Sequence, residues 1–194
     1  MIKKIKKILD KKNKSKIVCL TAYSKSIASI LDKFVDIILV GDSMANVLYG
    51  HKNTHKISLK NILQHTSSVK MGVNNSLLVV DMPKGSYQNI KIAHKNVKLV
   101  INKTKCDAIK LESNNKNFNI IEKLVKKRIP VMGHIGYTPQ FKKKFKTEGN
   151  TSEEITKLLK EALWIQKSGA FSIVLECISP EASKLITSKL KIPT

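Results

Sequence analysis

The chain has 194 residues and a mass of 21.8 kDa, room for one domain with a buried core, and its 42% of hydrophobic residues excludes wholesale disorder. Thirty-six bases against fourteen acids give a formal charge of +22, but Arg128 is the one arginine, aromatics are 5%, and lysines occur in every segment. The charge therefore reads as solvated lysine faces and not as a nucleic-acid surface, which draws on arginine forks and interleaved aromatics.

No apolar run approaches the roughly 18 residues of a membrane helix, and the lysine-rich opening has neither the apolar stretch nor the small-residue cleavage site of a secretory leader. The odd set Cys19, Cys106 and Cys177, each in or beside an apolar run, reads as reduced, mostly buried thiols in a cytoplasmic protein. Expected partners are small molecules, with no nucleic acid and no membrane.

Residues 2–14 open the chain with Ile2, Ile5 and Leu9 at helical spacing, which predicts a helix over one end of the domain within residues 1–15. Six short apolar runs follow: Ile17–Thr21, Asp36–Gly41, Ser76–Met82, Ala108–Glu112, Ile129–Ile135 and Phe171–Cys177. They are continuous rather than alternating, the pattern of strands buried on both faces of a parallel sheet.

Between them lie helical stripes. The first is Ile27, Ile30 and Leu31. The second is Leu59, Ile62, Leu63 and Val69, opened by Ser58 as an N-cap. The third is Ile92, Val97, Leu99 and Val100, and the fourth Ile120, Ile121, Leu124 and Val125. The fifth, Ile155, Leu158, Leu159, Ala162 and Leu163, starts at the capping-box pattern Thr151-x-x-Glu154 and ends near Gly169. Ala182, Leu185 and Ile186 begin a sixth. Strict alternation of strand and helix predicts an α/β fold with a parallel sheet. The longest non-periodic stretches, 43–57 and 136–150, are expected as loops over the scaffold, the second carrying the lysine-rich tract 141–150.

The chain stops at Lys191-Ile192-Pro193-Thr194, which reads as the opening of a seventh strand. A closed (β/α)8 barrel runs to roughly 250 residues. The expected architecture is thus a single TIM-barrel domain over 1–194, truncated after about six β/α units. Such a piece is expected to be poorly stable and weakly active or inactive alone, because its sheet edges would be unpaired.

Acids are few, yet four of the fourteen stand at strand ends: Asp42, Asp81, Glu112 and Glu176. His134 lies near the end of a fifth strand, and Lys110 two residues before Glu112. One such acid is ordinarily the N-cap of the next helix, a reading that remains open for Asp42 and Asp81. Four together with a lysine and a histidine point to a shared site, because the carboxyl ends of barrel strands converge on the catalytic face. Two aspartates and a glutamate offer oxygen donors suited to Mg²⁺, Lys110 a cation for a substrate carboxylate, and Glu176 a base if it is not a metal ligand. No zinc spacing, Gly-x-Ser-x-Gly elbow or Gly-x-Gly-x-x-Gly turn is present. His51 and His55 are four apart, but Gly50 and the non-periodic flanks argue against a helical metal pair.

The strings Thr21-Ala22-Tyr23, Leu39-Val40-Gly41-Asp42-Ser43, Gly50-His51-x-x-Thr54, Asp81-Met82-Pro83-x-Gly85-Ser86-Tyr87, Ile109-Lys110-Leu111-Glu112, the run from Pro130 to Gln140, and Val174-Leu175-Glu176-Cys177 together resemble the ketopantoate hydroxymethyltransferase family. The resemblance spans residue 17 to the last residues. It implies a TIM barrel of the phosphoenolpyruvate/pyruvate type and transfer of a hydroxymethyl group from 5,10-methylenetetrahydrofolate to 3-methyl-2-oxobutanoate, giving 2-dehydropantoate for pantothenate synthesis. By motif it implies Asp42 and Asp81 as Mg²⁺ ligands with Glu112 completing the metal site, Ser43 and Lys110 as substrate contacts alongside Asp42 and Asp81, Glu176 as proton acceptor, and His134 lining the pocket. It also implies a large homo-oligomer, commonly a decamer. Three features depart from the family pattern: the lysine-rich tract after Gln140, Lys84 in place of an apolar residue, and Ala45 in place of a glycine.

Overall fold

A computed structural model describes residues 3–113, 117–142 and 144–194. Ile2 of the predicted first helix and Lys143 of the lysine-rich tract lie outside them. The chain forms two compact units, Met1–Lys110 and Leu111–Thr194.

In the first unit, helix α1 (Lys3–Asp10) precedes strand β1 (Cys19–Thr21), helix α2 (Lys25–Leu31), strand β2 (Ile37–Val40), the short helix α3 (Met44–Val47), helix α4 (Leu59–Lys70), strand β3 (Leu77–Asp81), helix α5 (Ile90–Thr104) and strand β4 (Ala108–Glu112), whose last two residues belong to the second unit. Strand order is chain order and every pair is parallel, with Leu20 opposite Ile38, Val40 opposite Val80, and Asp81 opposite Lys110. The apolar runs bury as expected: β3 and β4 are buried throughout. Beneath them pack Ile62 and Val69 of α4 and Val97 and Val100 of α5, all fully buried, each contributing about 1.5–3 kcal/mol by leaving water.

Four expectations fail here. Strand β1 is exposed along its length, because it is an edge strand paired only with β2. The Ile27–Ile30 stripe of α2 faces outward and the helix buries Ala28 instead: spacing tells which side chains share a face, not what that face covers. The stretch 43–57 is not a plain loop, since it holds α3 and a 3-10 turn at Thr54–Lys56. In α1 it is Ile5 and Ile8, not Leu9, that are buried. Ser58 caps α4 as predicted, in a reciprocal box with Asn61.

The first unit's two halves are tied by Asp32, at the end of α2. Its buried carboxylate accepts the backbone N–H groups of Asn74, Asn75 and Ser76 at 2.8–3.1 Å. Burial alone would raise its pKa, but the amides of Ser76, Asn75 and Asn74 outweigh this and hold it below the usual carboxylate value. A depressed folded-state pKa stabilises the fold above the unfolded value and is lost as pH falls through the folded one. Asp32→Ala should cost about 3 kcal/mol at pH 7, since bonds to a charged group are worth about 1.5–3 kcal/mol each. In urea titrations that deficit should shrink as pH falls toward 3.

In the second unit, β4 is followed by helix α6 (Phe118–Lys126), strand β5 (Val131–Gly136), helix α7 (Ser152–Lys167), strand β6 (Ser172–Glu176) and helix α8 (Pro180–Lys189). Strands β5 and β6 run parallel with His134 opposite Val174 and Gly136 opposite Glu176. Ile120, Ile121 and Leu124 of α6 and Leu158 and Ala162 of α7 are buried as the stripes predict, and Phe118 stacks on Trp164 at 4.6 Å. The Thr151-x-x-Glu154 cap is half realised. Thr151 accepts the Glu154 N–H, but the Glu154 carboxylate takes the amides of Gly149 and Asn150 instead of that of Thr151. Gly136 has φ +89°, and a Cβ there would lie 2.2 Å from the Glu176 carbonyl oxygen, so only glycine lets β5 end against β6.

Candidate active site

Asp42 follows β2 after Gly41, Asp81 closes β3, and Lys110 lies in β4 in register with Asp81. Their side chains come together in the first unit. Lys110 Nζ donates to Asp81 Oδ2 at 2.5 Å, with both side chains almost wholly buried. Burial pushes the Asp81 carboxyl up to about 7; the charge of Asp42 adds to this, while Lys110 and the Asp42 backbone N–H favour the ionised form. Two buried carboxylates share one lysine, and a further positive charge would relieve them. Asp81 Oδ1, also buried, has no partner at hydrogen-bond geometry.

Ser43 sits at the N-terminus of α3, where a serine would ordinarily cap. Its side chain makes no cap bond. Instead Ser43 Oγ lies 2.8 Å from the hydroxyl of Tyr23.

In the second unit, Glu112 closes β4, buried, with Oε2 accepting the backbone N–H of the fully buried Gln140 at 3.0 Å. His134 is buried in β5, and its Nε2 lies 3.2 Å from Oε2 of Glu176 at the end of β6. The Glu176 side chain is 39% exposed. Burial first, then the charges of Glu176 and Glu112, raise the pKa of Tyr137, so both carboxylates act on one phenol. The predicted residues thus fall into two groups, Asp42, Ser43, Asp81 and Lys110 in one unit and Glu112, His134 and Glu176 in the other. Among the described residues no three His, Cys, Asp or Glu side chains form a cluster able to hold a metal. What the first unit offers a divalent ion is the pair Asp42 and Asp81, hard oxygen donors with excess negative charge.

Sequence reading missed Tyr23, Gln140 and His65 as parts of these groups. Tyr23 and Gln140 stood within family strings, but nothing local marks either as a partner of Ser43 or Glu112, and nothing marks His65 at all: the partners of Gln140 and His65 lie 28 and 42 residues away.

A family model described as ketopantoate hydroxymethyltransferase matches residues 2–194. The chain belongs to the ketopantoate hydroxymethyltransferase family. It is 50% identical over 194 residues to the 3-methyl-2-oxobutanoate hydroxymethyltransferase of Pelagibacter ubique, covering all of this chain and 76% of that one. It is 45% identical over 195 residues to the enzyme of the same name from Thermosipho africanus, covering 98% and 73%. Among solved structures, a 2,3-dimethylmalate lyase of the PEP mutase/isocitrate lyase superfamily superposes with TM-score 0.71 at 13% identity, covering 98% of this chain and 70% of that one. A phosphonopyruvate hydrolase solved with oxalate and Mg²⁺ superposes with TM-score 0.70 at 11% identity, covering 98% and 79%. At these identities the likeness concerns the fold, and it bears out the expected fold class, six β/α units of the TIM-barrel type.

Against the family pattern, Ala45 is fully buried in α3, and Lys84 is exposed with Nζ 3.3 Å from both ring nitrogens of His55. In the lysine-rich tract, Lys142 pairs with Glu148 and Lys146 with Glu154. All three cysteines are free thiols, as expected, but only Cys106 is buried: Cys19 on the edge strand is exposed and Cys177, just past β6, is intermediate. No helix among the described residues is long and apolar enough to cross a membrane.

Proposed function

We propose that this chain performs the reaction for which its relatives are named: transfer of a hydroxymethyl group to 3-methyl-2-oxobutanoate, forming 2-dehydropantoate for pantothenate synthesis, with 5,10-methylenetetrahydrofolate as the one-carbon donor. The observation that carries this reading is the buried Asp42–Asp81–Lys110 charge cluster in a chain matched by this family from end to end.

In this reading Asp42 and Asp81 would hold Mg²⁺, a role that the family resemblance extends to Glu112. Their fit rests on two buried carboxylates that one lysine leaves short of charge balance. When bound, the ion would polarise the ketone and steady the negative charge that develops as the C3 proton leaves. Lys110 and Ser43 hold the substrate's carboxylate and oxo group. Glu176, partly exposed and beside His134, takes the C3 proton. Hydrolysis of the methylene bridge by one water releases tetrahydrofolate and delivers the one-carbon unit as formaldehyde; the carbon nucleophile attacks its carbon, and the carbonyl oxygen takes up a proton to become the new hydroxyl. The same reading carries a cytoplasmic setting, small-molecule partners only, and a homo-oligomer such as the decamer implied by the family.

The test is a turnover assay of the purified chain with 3-methyl-2-oxobutanoate and 5,10-methylenetetrahydrofolate. Product should form with Mg²⁺ and fall to background when EDTA removes it. Cleavage of an oxaloacetate-like acid without folate, in place of transfer, would overturn the assignment.

A further inference from the structure

The hydroxyl of Ser43 meets residues that hold no part in the reaction proposed above. Tyr23, between β1 and α2, places its hydroxyl 2.8 Å from Ser43 Oγ. The backbone carbonyl of Tyr23 lies 2.8 Å from Nδ1 of His65, on α4. Nε2 of the same ring lies 2.9 Å from the hydroxyl of Tyr49, just beyond α3. A carbonyl can only accept, so Nδ1 carries the proton. In the neutral ring Nε2 is then an acceptor, and Tyr49 donates to it.

Two further observations show a fitted arrangement. The His65 ring stands edge-on to both phenols, at 87° to Tyr23 and 86° to Tyr49. The space in front is kept by Gly41, where a Cβ would come within 3.0 Å of Ser43 Oγ and 3.7 Å of the Tyr23 hydroxyl. Ser43 does not spend its hydroxyl on capping α3. The Tyr23 contact therefore sets where that hydroxyl points.

We propose that His65, in its Nδ1–H form, is a positioning residue for the substrate: it clamps Tyr23 against the Tyr49 segment, and Tyr23 in turn fixes the Ser43 hydroxyl toward the 2-oxo acid. This rests on the reading of Ser43 as a substrate contact. His65 does not touch the substrate. It removes the freedom of a hydroxyl that otherwise has three rotamers.

The test measures the Kd of 3-methyl-2-oxobutanoate by calorimetry with Mg²⁺ present, and KM and kcat beside it. Tyr23→Phe and His65→Ala should each weaken binding about threefold to tenfold, the worth of one neutral hydrogen bond, raising KM with kcat within about twofold. The double variant should be no weaker than the worse single one, since both remove the same restraint. His65→Asn, which keeps an N–H at the Nδ1 position, should recover most of the loss. Fold changes that multiply in the double variant, or an asparagine no better than alanine, would overturn the proposal.

Ser43→Ala separates the two layers. If it leaves Kd unchanged, the substrate role of Ser43 falls and this inference with it. If it weakens binding while Tyr23→Phe and His65→Ala do not, only the brace falls. Independently of any variant, ¹⁵N spectra of the parent protein should place the His65 proton on Nδ1; a proton on Nε2 alone overturns the arrangement.

Discussion

Glu176→Gln should cut deuterium exchange at C3 of 3-methyl-2-oxobutanoate by about 10²–10⁴-fold, the usual contribution of a positioned general base. Glutamine has the size and polarity of glutamate but cannot accept the proton. The fold should not suffer. The Glu176 backbone carbonyl, which accepts the Tyr137 N–H at 2.8 Å, is untouched, and glutamine keeps an oxygen for the contact with His134 Nε2. Stability should therefore change by no more than about 1 kcal/mol, the worth of one hydrogen bond. The measurement is ¹H NMR in D₂O with Mg²⁺ and without folate, so that proton removal is followed apart from transfer. Exchange at the parental rate would remove Glu176 from the role of base. A loss of exchange together with a fall in Tm would make the defect structural.

The residues most legible in the sequence are those whose placement is dictated locally. A continuous Val/Ile/Leu run becomes a buried parallel strand wherever both faces are covered, and an acid just past such a run must stand at the strand's carboxyl end. Asp81 and Glu112 could be placed to the residue in this way. The same logic misreads β1, whose run is as apolar as the others but whose position at the edge leaves it exposed. It also misreads α2, whose isoleucines share a face left about half exposed.

Interactions made across long stretches of chain leave no local mark. Asp32 holds a turn 42 to 44 residues on, Gln140 presents its amide to Glu112 from 28 residues away, and His65 reaches back 42 residues to Tyr23. These contacts decide how the side chains at the strand ends are held. The motifs show which groups are supplied, and the tertiary contacts show which way they point.

The other large effect is expected at Lys110. Removing one partner of a buried ion pair costs about 3–5 kcal/mol, because the remaining charge stays buried without compensation. Here the remaining charge has company. Lys110 is bonded to Asp81 at 2.5 Å, and the charge of Asp42 already works against ionisation of Asp81. Lys110→Met keeps the length of the side chain's apolar stem but leaves two carboxylates facing each other, so the cost should lie within that range in urea titrations without divalent ions. Two additions should each restore part of it. Asp81→Asn in the same chain removes one of the stranded charges, so the double variant should be more stable than Lys110→Met alone. Millimolar Mg²⁺ should stabilise Lys110→Met but not the double variant to the same degree, because binding to the folded state adds stability only where the ligands remain. C3 exchange should stay lost in both, since each lacks the cation proposed to hold the substrate carboxylate. If Asp81→Asn deepens the damage instead, Lys110 and Asp81 contribute to the fold independently, and the charge cluster at the ends of β2, β3 and β4 is not a single unit.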